Sequence, residues 1–402
     1  MEFVRLQICC TLDFYYRRMI IHRGYKFQLV AHGRQIDQLS QHAGCCRLVW
    51  NKLLSIQKGR LDHGERTLRY GQATAELPKW KQDLPFLSEV HSQTLQQSLR
   101  DLDRALQDAF SKTRGFPKFK KKGQHDSFRF PQGVKLDGDK IYLPKIGWFR
   151  FRKSREVEGT IKNVTVSRTI NKWYVSIQVE IEVAEPVHPS NTEVGIDLGV
   201  VRFATISDGT VIQPINIFRK LESELATAQR KLARKIKFSN NWKKQKTNIQ
   251  KIHYKIANTR RDFLHKTTTE ISKNHGIIAM EDLKVKNMSK SAKGTINEPG
   301  TNVAAKTGLN KSITDQGWYE FQRQLTYKQQ WSGGKVVLVN PINTSRKCSR
   351  CNHVAAENRQ SQTLFQCQSC DYKDNADLNA AKNILAAGHV VVACGDIRQD
   401  AA

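Results

Sequence analysis

The sequence predicts a multidomain α+β protein: a small β-barrel carrying a helical insertion, then an α/β sheet domain interrupted by a four-cysteine metal module. Three observations predict it. Short alternating β runs crowd residues 126–183, just after a helical stretch over 34–113. Further on, the apolar runs Val194-Gly195-Ile196-Asp197-Leu198 and Gly276-Ile277-Ile278-Ala279-Met280-Glu281 flank a long helical stretch, an alternation that builds α/β sheets. Finally, Cys348, Cys351, Cys367 and Cys370 form two Cys-x2-Cys pairs. With 402 residues, the chain can bury more than one core.

Charge bounds the partners. The 66 Lys and Arg outnumber the 37 Asp and Glu, a net charge of +29. Spread along the whole length, such an excess suits a polymer of phosphates better than a merely solvated surface or an anionic membrane. No run approaches the ~18 apolar residues of a membrane span, and residues 1–18 are charged throughout with no apolar core like that of a signal peptide. The nine cysteines are odd in number, and four of them stand at metal spacing, which favours a reducing interior over a disulfide framework. The expected location is the cytoplasm of a bacterial cell, with the nucleoid.

Residues 1–18 fit none of the patterns that follow and are expected to be a dispensable or non-native extension. Tyr25, Phe27 and Leu29 then alternate as a strand does. In the helical stretch, Ile36 and Leu39 open an apolar stripe that Leu48, Val49, Leu53 and Leu54 continue. Leu95, Leu99, Leu102, Leu106 and Phe110 recur at steps of four and three, with Pro78 and Pro85 breaking the helices between. Cys45-Cys46 lies within the stripe and reads as packing.

A basic loop follows over 115–123. Its Lys118, Lys120, Lys121 and Lys122 alternate with Phe116 and Phe119, a composition suited to phosphate contacts and base stacking, although a solvated linker has similar residues. Strands are expected over 141–143, 148–152, 161–167 and 173–181, the last two joined as a hairpin through Ile170-Asn171-Lys172. The Pro-containing stretch 184–190 marks a boundary. After Asp197 come a strand over 201–206, a turn over 207–210, a further strand and a long helical stretch over about 218–274. There Ile249, Ile252 and Ile256 line one face while Lys243, Lys244, Lys246, Lys251 and Lys255 crowd the rest. The Gly/Ser/Lys/Asn-rich stretch 284–311 reads as a mobile loop. A helix with Trp318, Phe321 and Leu325 and a third strand over 336–339 complete the domain.

Two constellations carry chemistry. The pairs Cys348/Cys351 and Cys367/Cys370, fifteen residues apart, supply four thiolates to a tetrahedral structural zinc, as in a zinc ribbon. Four protein ligands leave no open position, so this zinc would not be catalytic. Asp197 and Glu281 each end an apolar strand, and Asp377 opens a helix. On an RNase H-like sheet such acids converge on one site, where hard oxygen ligands select magnesium or manganese and two ions can serve phosphodiester hydrolysis. Taken singly, Asp377 reads better as a helix cap.

Gly195-Ile196-Asp197-Leu198-Gly199, Met280-Glu281-Asp282-Leu283, the four cysteines and Asp377-Leu378-Asn379-Ala380-Ala381 resemble the split RuvC domain of the TnpB family. These are transposon-encoded relatives of type V CRISPR effectors. The resemblance extends through Tyr25-Lys26-Phe27, Gly44-Cys45-Cys46-Arg47, the basic loop and Leu283-Lys284-Val285-Lys286-Asn287-Met288, and so covers essentially residues 19–387. It implies an RNA-guided DNA endonuclease that binds a guide RNA from the transposon end, reads a short flanking motif and cuts target double-stranded DNA. Asp197, Glu281 and Asp377 would then be the catalytic metal ligands, and the cysteines would bind zinc. The implied domains are a wedge-like barrel (19–33 and 114–189), a recognition insertion (34–113), a RuvC-like nuclease (190–345 and 371–390), the ribbon (346–370) and a tail (391–402). Two alternatives remain at this point: a strand-transfer transposase on the same fold, and an RNA-guided repressor that does not cut.

Overall fold

Alternating apolar residues organise the first sheet. The computed structural model describes residues 18–395, and the chain divides into two compact units at Ala184/Glu185. The expectation of an extension over 1–18 lies outside the described residues except for Arg18, which pairs with Ala184 at the start of β1 (Arg18–Val30). Tyr25, Phe27 and Leu29 of β1 are buried, as their alternation requires.

The first unit holds a seven-stranded antiparallel sheet. Its other strands are β2 (Ser127–Phe130), β3 (Lys135–Asp137), β4 (Lys140–Leu143), β5 (Gly147–Phe151), β6 (Thr160–Thr169) and β7 (Lys172–Ala184). Their order is β2-β6-β7-β1-β5-β4-β3, and β6 and β7 form the expected hairpin, with Thr169 opposite Lys172. β1 joins the two halves, pairing with β7 along most of its length and with β5 at Leu29 and Val30. Among the described residues no ladder joins β2 to β3, so hydrogen bonding does not close the expected barrel. Between β1 and β2 come α1 (Arg34–Asp62), α2 (Tyr70–Ala75), α3 (Leu77–Asp83) and α4 (Ser92–Phe110). Leu95, Leu99, Leu102 and Leu106 of α4 are buried as their spacing predicts, whereas Phe110 at the end of the stripe is exposed. Ile36 is exposed too, and the stripe of α1 begins instead at Leu39. Pro78 and Pro85 each stand in the first turn of a short helical segment, where a missing N–H costs nothing. Cys45 and Cys46 are buried in this core.

The second unit contains a mixed sheet ordered β10-β9-β8-β11-β12, made of β8 (Glu193–Leu198), β9 (Ala204–Ile206), β10 (Val211–Ile212), β11 (Ile277–Glu281) and β12 (Lys335–Val339). β8, β11 and β12 run parallel, and β9 and β10 are antiparallel additions. Two expectations are corrected here. The helical stretch over 218–274 is not continuous but consists of two helices, α5 (Ile217–Ala233) and α6 (Asn240–Asn274). The break is set by Ser239, whose Oγ accepts from Trp242 N to cap α6. Ile252 and Ile256 pack against α5 across the hairpin so formed. The stretch 284–311 is not all loop, because α7 (Val285–Met288) lies within it and α8 (Val303–Gln316) begins there. α8 is anchored by the buried Asp315, which accepts from Arg260 and from Phe218 N. After α9 (Trp318–Ser332), the hairpin β13 (Leu364–Gln366) and β14 (Lys373–Asn375) leads into α10 (Ala376–Ala393), which continues past the expected domain end at 390. None of the described helices is long and apolar enough to cross a membrane.

Candidate active site

Parallel pairing places the first two carboxylates. Met280 stands opposite Ile196 in the ladder between β11 and β8, so Glu281 and Asp197 are the next residues along adjacent strands. In-register parallel neighbours are about 4.8 Å apart and point to the same side. That side is also the one that carries Gly195 and Ala279.

α10 covers the same side. A Cβ at Gly195 would come 2.1 Å from the Ala381 carbonyl oxygen, and one at Gly388 would come 2.6 Å from the Ala279 Cβ. The small-residue face of α10, with Ala380 and Ala381 buried, therefore lies directly on the strand backbones. From Ala381 back to Asp377 is four helical residues, about 6 Å, and from Gly195 to Asp197 is two strand residues, about 6.6 Å. Asp377 comes near enough to Asp197 for its charge to raise that carboxyl. Asn375 fixes the start of the helix, its Oδ1 accepting from the backbone N of Asp377 (3.1 Å) and Leu378 (3.3 Å).

The electrostatics agree with this convergence. Burial, then the charges of Glu281 and Asp377, push the Asp197 carboxyl up to about 7, while Arg359 opposes them. Burial also raises Glu281 above the usual carboxylate range, against a hydrogen bond from Thr344. Asp377 is flanked by two arginines: Arg359 Nη2 donates to its Oδ1 at 3.3 Å, and Arg202 Nη1 lies 3.8 Å from its Oδ2. The charges of Glu281 and Asp377 both act on Asp197, and all three side chains are hard oxygen donors that could hold a cation.

The four cysteines form a tighter set, their sulfurs all within 4.8 Å of one another. Cys348 and Cys370 Sγ are 3.8 Å apart and Cys351 and Cys367 Sγ are 3.5 Å apart. A tetrahedron of sulfurs at ~2.3 Å from zinc has edges of about 3.8 Å, so the spacing fits. The two halves are built alike. In each, the residue after the second cysteine, Asn352 or Asp371, has positive φ and donates its N–H to the carbonyl of the first cysteine.

Residues that the sequence did not reveal join this cluster to the acids. Asn379 Nδ2 and Asn383 Nδ2 both donate to the Lys347 carbonyl, just before the first cysteine, and Asn379 Oδ1 accepts from Ser349 N. Asn383 also donates to the carbonyl of Thr344, whose hydroxyl donates to Glu281. Asn358, fully buried, ties both halves of the cluster together through Arg346 O, His353 O and Gln368 N. The one visible signal was Asn379 and Asn383, two polar residues four apart on an otherwise small, apolar helix face.

The basic loop belongs to the first unit. Lys118, Lys121 and Lys122 are exposed. Lys120 is not free in the same way: its ammonium lies 3.8 Å from the centre of the Trp50 ring, and Asn51 holds its backbone at both N and O.

The fold defines the class, that of Cas12-like multidomain α+β proteins. A solved structure titled as a Cas12f1–sgRNA–target DNA complex aligns with 91% of this chain and 98% of its own at a TM-score of 0.55 and 14% identity. The chain belongs to the TnpB family. The family model OrfB_IS605, "Probable transposase", matches residues 176–292, a Cas12f1-like TNB domain matches 318–384, and a helix-turn-helix domain matches 19–66. An Escherichia coli K12 protein named "Putative RNA-guided DNA endonuclease InsQ" is 55% identical, covering 94% of this chain and 95% of its own length. A "Putative RNA-guided DNA endonuclease" from Streptomyces pristinaespiralis is 33% identical over 94% of this chain and 92% of its own.

Proposed function

We propose that this chain is an RNA-guided DNA endonuclease whose catalytic residues are Asp197, Glu281 and Asp377, on a RuvC-like sheet. One observation carries the reading: three carboxylates from two parallel strands and a facing helix lie close enough that burial, and then the charges of Glu281 and Asp377, push Asp197 up to about 7. Such a set is stable at neutral pH when a cation neutralises it. Bound magnesium or manganese would activate water and stabilise the leaving oxygen of a phosphodiester. The protein's own contribution is placement. The strand ends hold Asp197 and Glu281 side by side, Thr344 orients Glu281, and the Asn375 cap with Arg202 and Arg359 holds Asp377.

The tetrathiolate cluster takes zinc in a structural role and, through Asn379 and Asn383, holds the segment that positions Thr344. The partners are a guide RNA from the transposon end and target double-stranded DNA, in the bacterial cytoplasm. The first unit's sheet acts as a wedge that grips RNA and duplex, and residues 34–113 form the recognition insertion. Exposed Lys118, Lys121 and Lys122 suit phosphate contacts.

The test is Asp197→Ala in the protein purified with the RNA it acquires beside its own locus. Cleavage of a matched target disappears while RNA and target binding persist. Normal cutting by this variant would remove the site assignment, and joined rather than free DNA ends from the wild type would mark strand transfer instead.

A further inference from the structure

The hairpin between α5 and α6 ends in a feature that the proposed nuclease site leaves unused. Between Glu224 and Asp262 the sequence holds twelve Lys and Arg and no Asp or Glu. At the tip of this cationic arm, Ile236 is 83% exposed and Phe238 is 66% exposed. Phe238 has φ of 70°, a left-handed conformation that a bulky side chain rarely adopts. That strain is not offset by burial of the ring. Instead, the turn presents Phe238 beside Trp242, ring centres 5.6 Å apart and planes inclined at 59°. Lys237 lies 5.3 Å from the Phe238 ring centre and Lys246 lies 5.1 Å from that of Trp242. The tip is also held in place: Ser239 caps α6 and Gln245 Nε2 donates to the Ala228 carbonyl across the hairpin at 3.0 Å.

We infer that this tip is a binding site for unpaired nucleotides of RNA, in which Phe238 and Trp242 stack on bases while the surrounding lysines neutralise the phosphates. Two features choose this occupant. An apolar partner surface would not call for a stretch of twelve Lys and Arg without one acid, eight of them between Gln229 and Thr247 about the tip, and a paired duplex hides the base faces on which exposed Phe238 and half-buried Trp242 can stack. Unpaired RNA offers both anionic backbone and open π-faces. The inference rests on the reading that the protein carries RNA, but not on the assignment of the carboxylates.

The test reads binding and contact, separately from cleavage. Affinity of the full chain for a labelled 20-nucleotide oligouridine and for a fully paired RNA duplex is measured for wild type, Phe238→Ala, Trp242→Ala and the ring-retaining Trp242→Phe. Each alanine variant weakens oligouridine binding by about 5- to 100-fold and duplex binding by less than about twofold, and Trp242→Phe stays within about threefold of wild type. In cells fed 4-thiouridine, which labels RNA alone, irradiation cross-links RNA to the peptide carrying Phe238 and Trp242. Equal losses on oligouridine and duplex, no loss on either, or absence of the cross-link would overturn the site. A change in self-association of Phe238→Ala by light scattering would overturn it in favour of contact with a second copy. Loss of cutting in Asp197→Ala, or its failure to occur, moves none of these readouts.

Discussion

At the scale of single residues, what a side chain does here depends on what it is buried against. Asp197 and His42 are both driven towards their neutral forms by burial, but to different ends. Asp197 stands beside the like charges of Glu281 and Asp377. His42 is 2% exposed in α1, with Nδ1 2.9 Å from the Gln38 carbonyl and Nε2 without a partner, close to the Phe128 ring. Burial, with smaller contributions from His91 and Lys145, holds it down to about 4. Below about 6.5 the unfolded chain therefore takes up a proton that the folded one refuses until about 4. Stability from this group is complete above pH 6.5 and is lost as pH falls, by up to about 3 kcal/mol. His42→Leu removes the loss, so the urea midpoint of the variant falls less between pH 6.5 and 4 than that of wild type. Equal slopes would show that His42 is not the acid-sensitive group. The three acids stand out in the sequence because Asp197 and Glu281 each end an apolar strand and Asp377 opens a helix just after the cysteines. Arg359, Arg202 and Thr344 were not, since they reach the acids across long sequence separations and carry no periodic signal of their own.

At the scale of elements, legibility follows amphipathic contrast. α4, with leucines three and four apart on a polar background, could be read directly, as could the strands that end on Asp197 and Glu281. The break between α5 and α6 was hidden because lysines and isoleucines continue on both sides of it, and only the Ser239 cap marks it. α8 was hidden by its Gly, Ser and Lys content, which suits a loop until Asp315 gives the helix buried partners. Close approach was legible only as glycine. The contact of α10 with β8 makes Gly195 a matter of space, since an added Cβ would meet the Ala381 carbonyl oxygen at 2.1 Å and Leu385 N at 2.6 Å, both backbone atoms. Gly195→Ala is expected to cost about 3 kcal/mol or more and to shift α10, lowering Tm and soluble yield. Gly44→Ala provides the opposite case inside α1, where the nearest atom is the flexible Arg47 Nη2 at 3.7 Å. It is expected to stabilise by about 0.5–1 kcal/mol through helix propensity. A destabilised Gly44→Ala beside a neutral Gly195→Ala would reverse the account of the α10 contact.

At the scale of the whole molecule, a charge of +29 is the property that composition alone made plain, and it predicts strong salt dependence. If six to ten phosphates of a single strand are neutralised, log K for a 30-nucleotide oligouridine falls against log salt with a slope of about −4 to −7. Which lysines contribute is where structure refines composition. Lys118, Lys121 and Lys122 are exposed, so replacing all three with alanine should make the slope shallower by up to about 2. Lys120 lies against Trp50, and burial holds its ammonium below the usual lysine range. Its charge already serves the fold, so Lys120→Ala should leave the slope nearly unchanged while lowering stability by about 1 kcal/mol from the lost ring contact. Anisotropy titrations from 50 to 400 mM salt, paired with thermal melts, separate the two outcomes. A slope change for Lys120→Ala as large as one third of that for the triple variant, with no change in Tm, would show that all four lysines act alike, as their spacing in the sequence alone suggests.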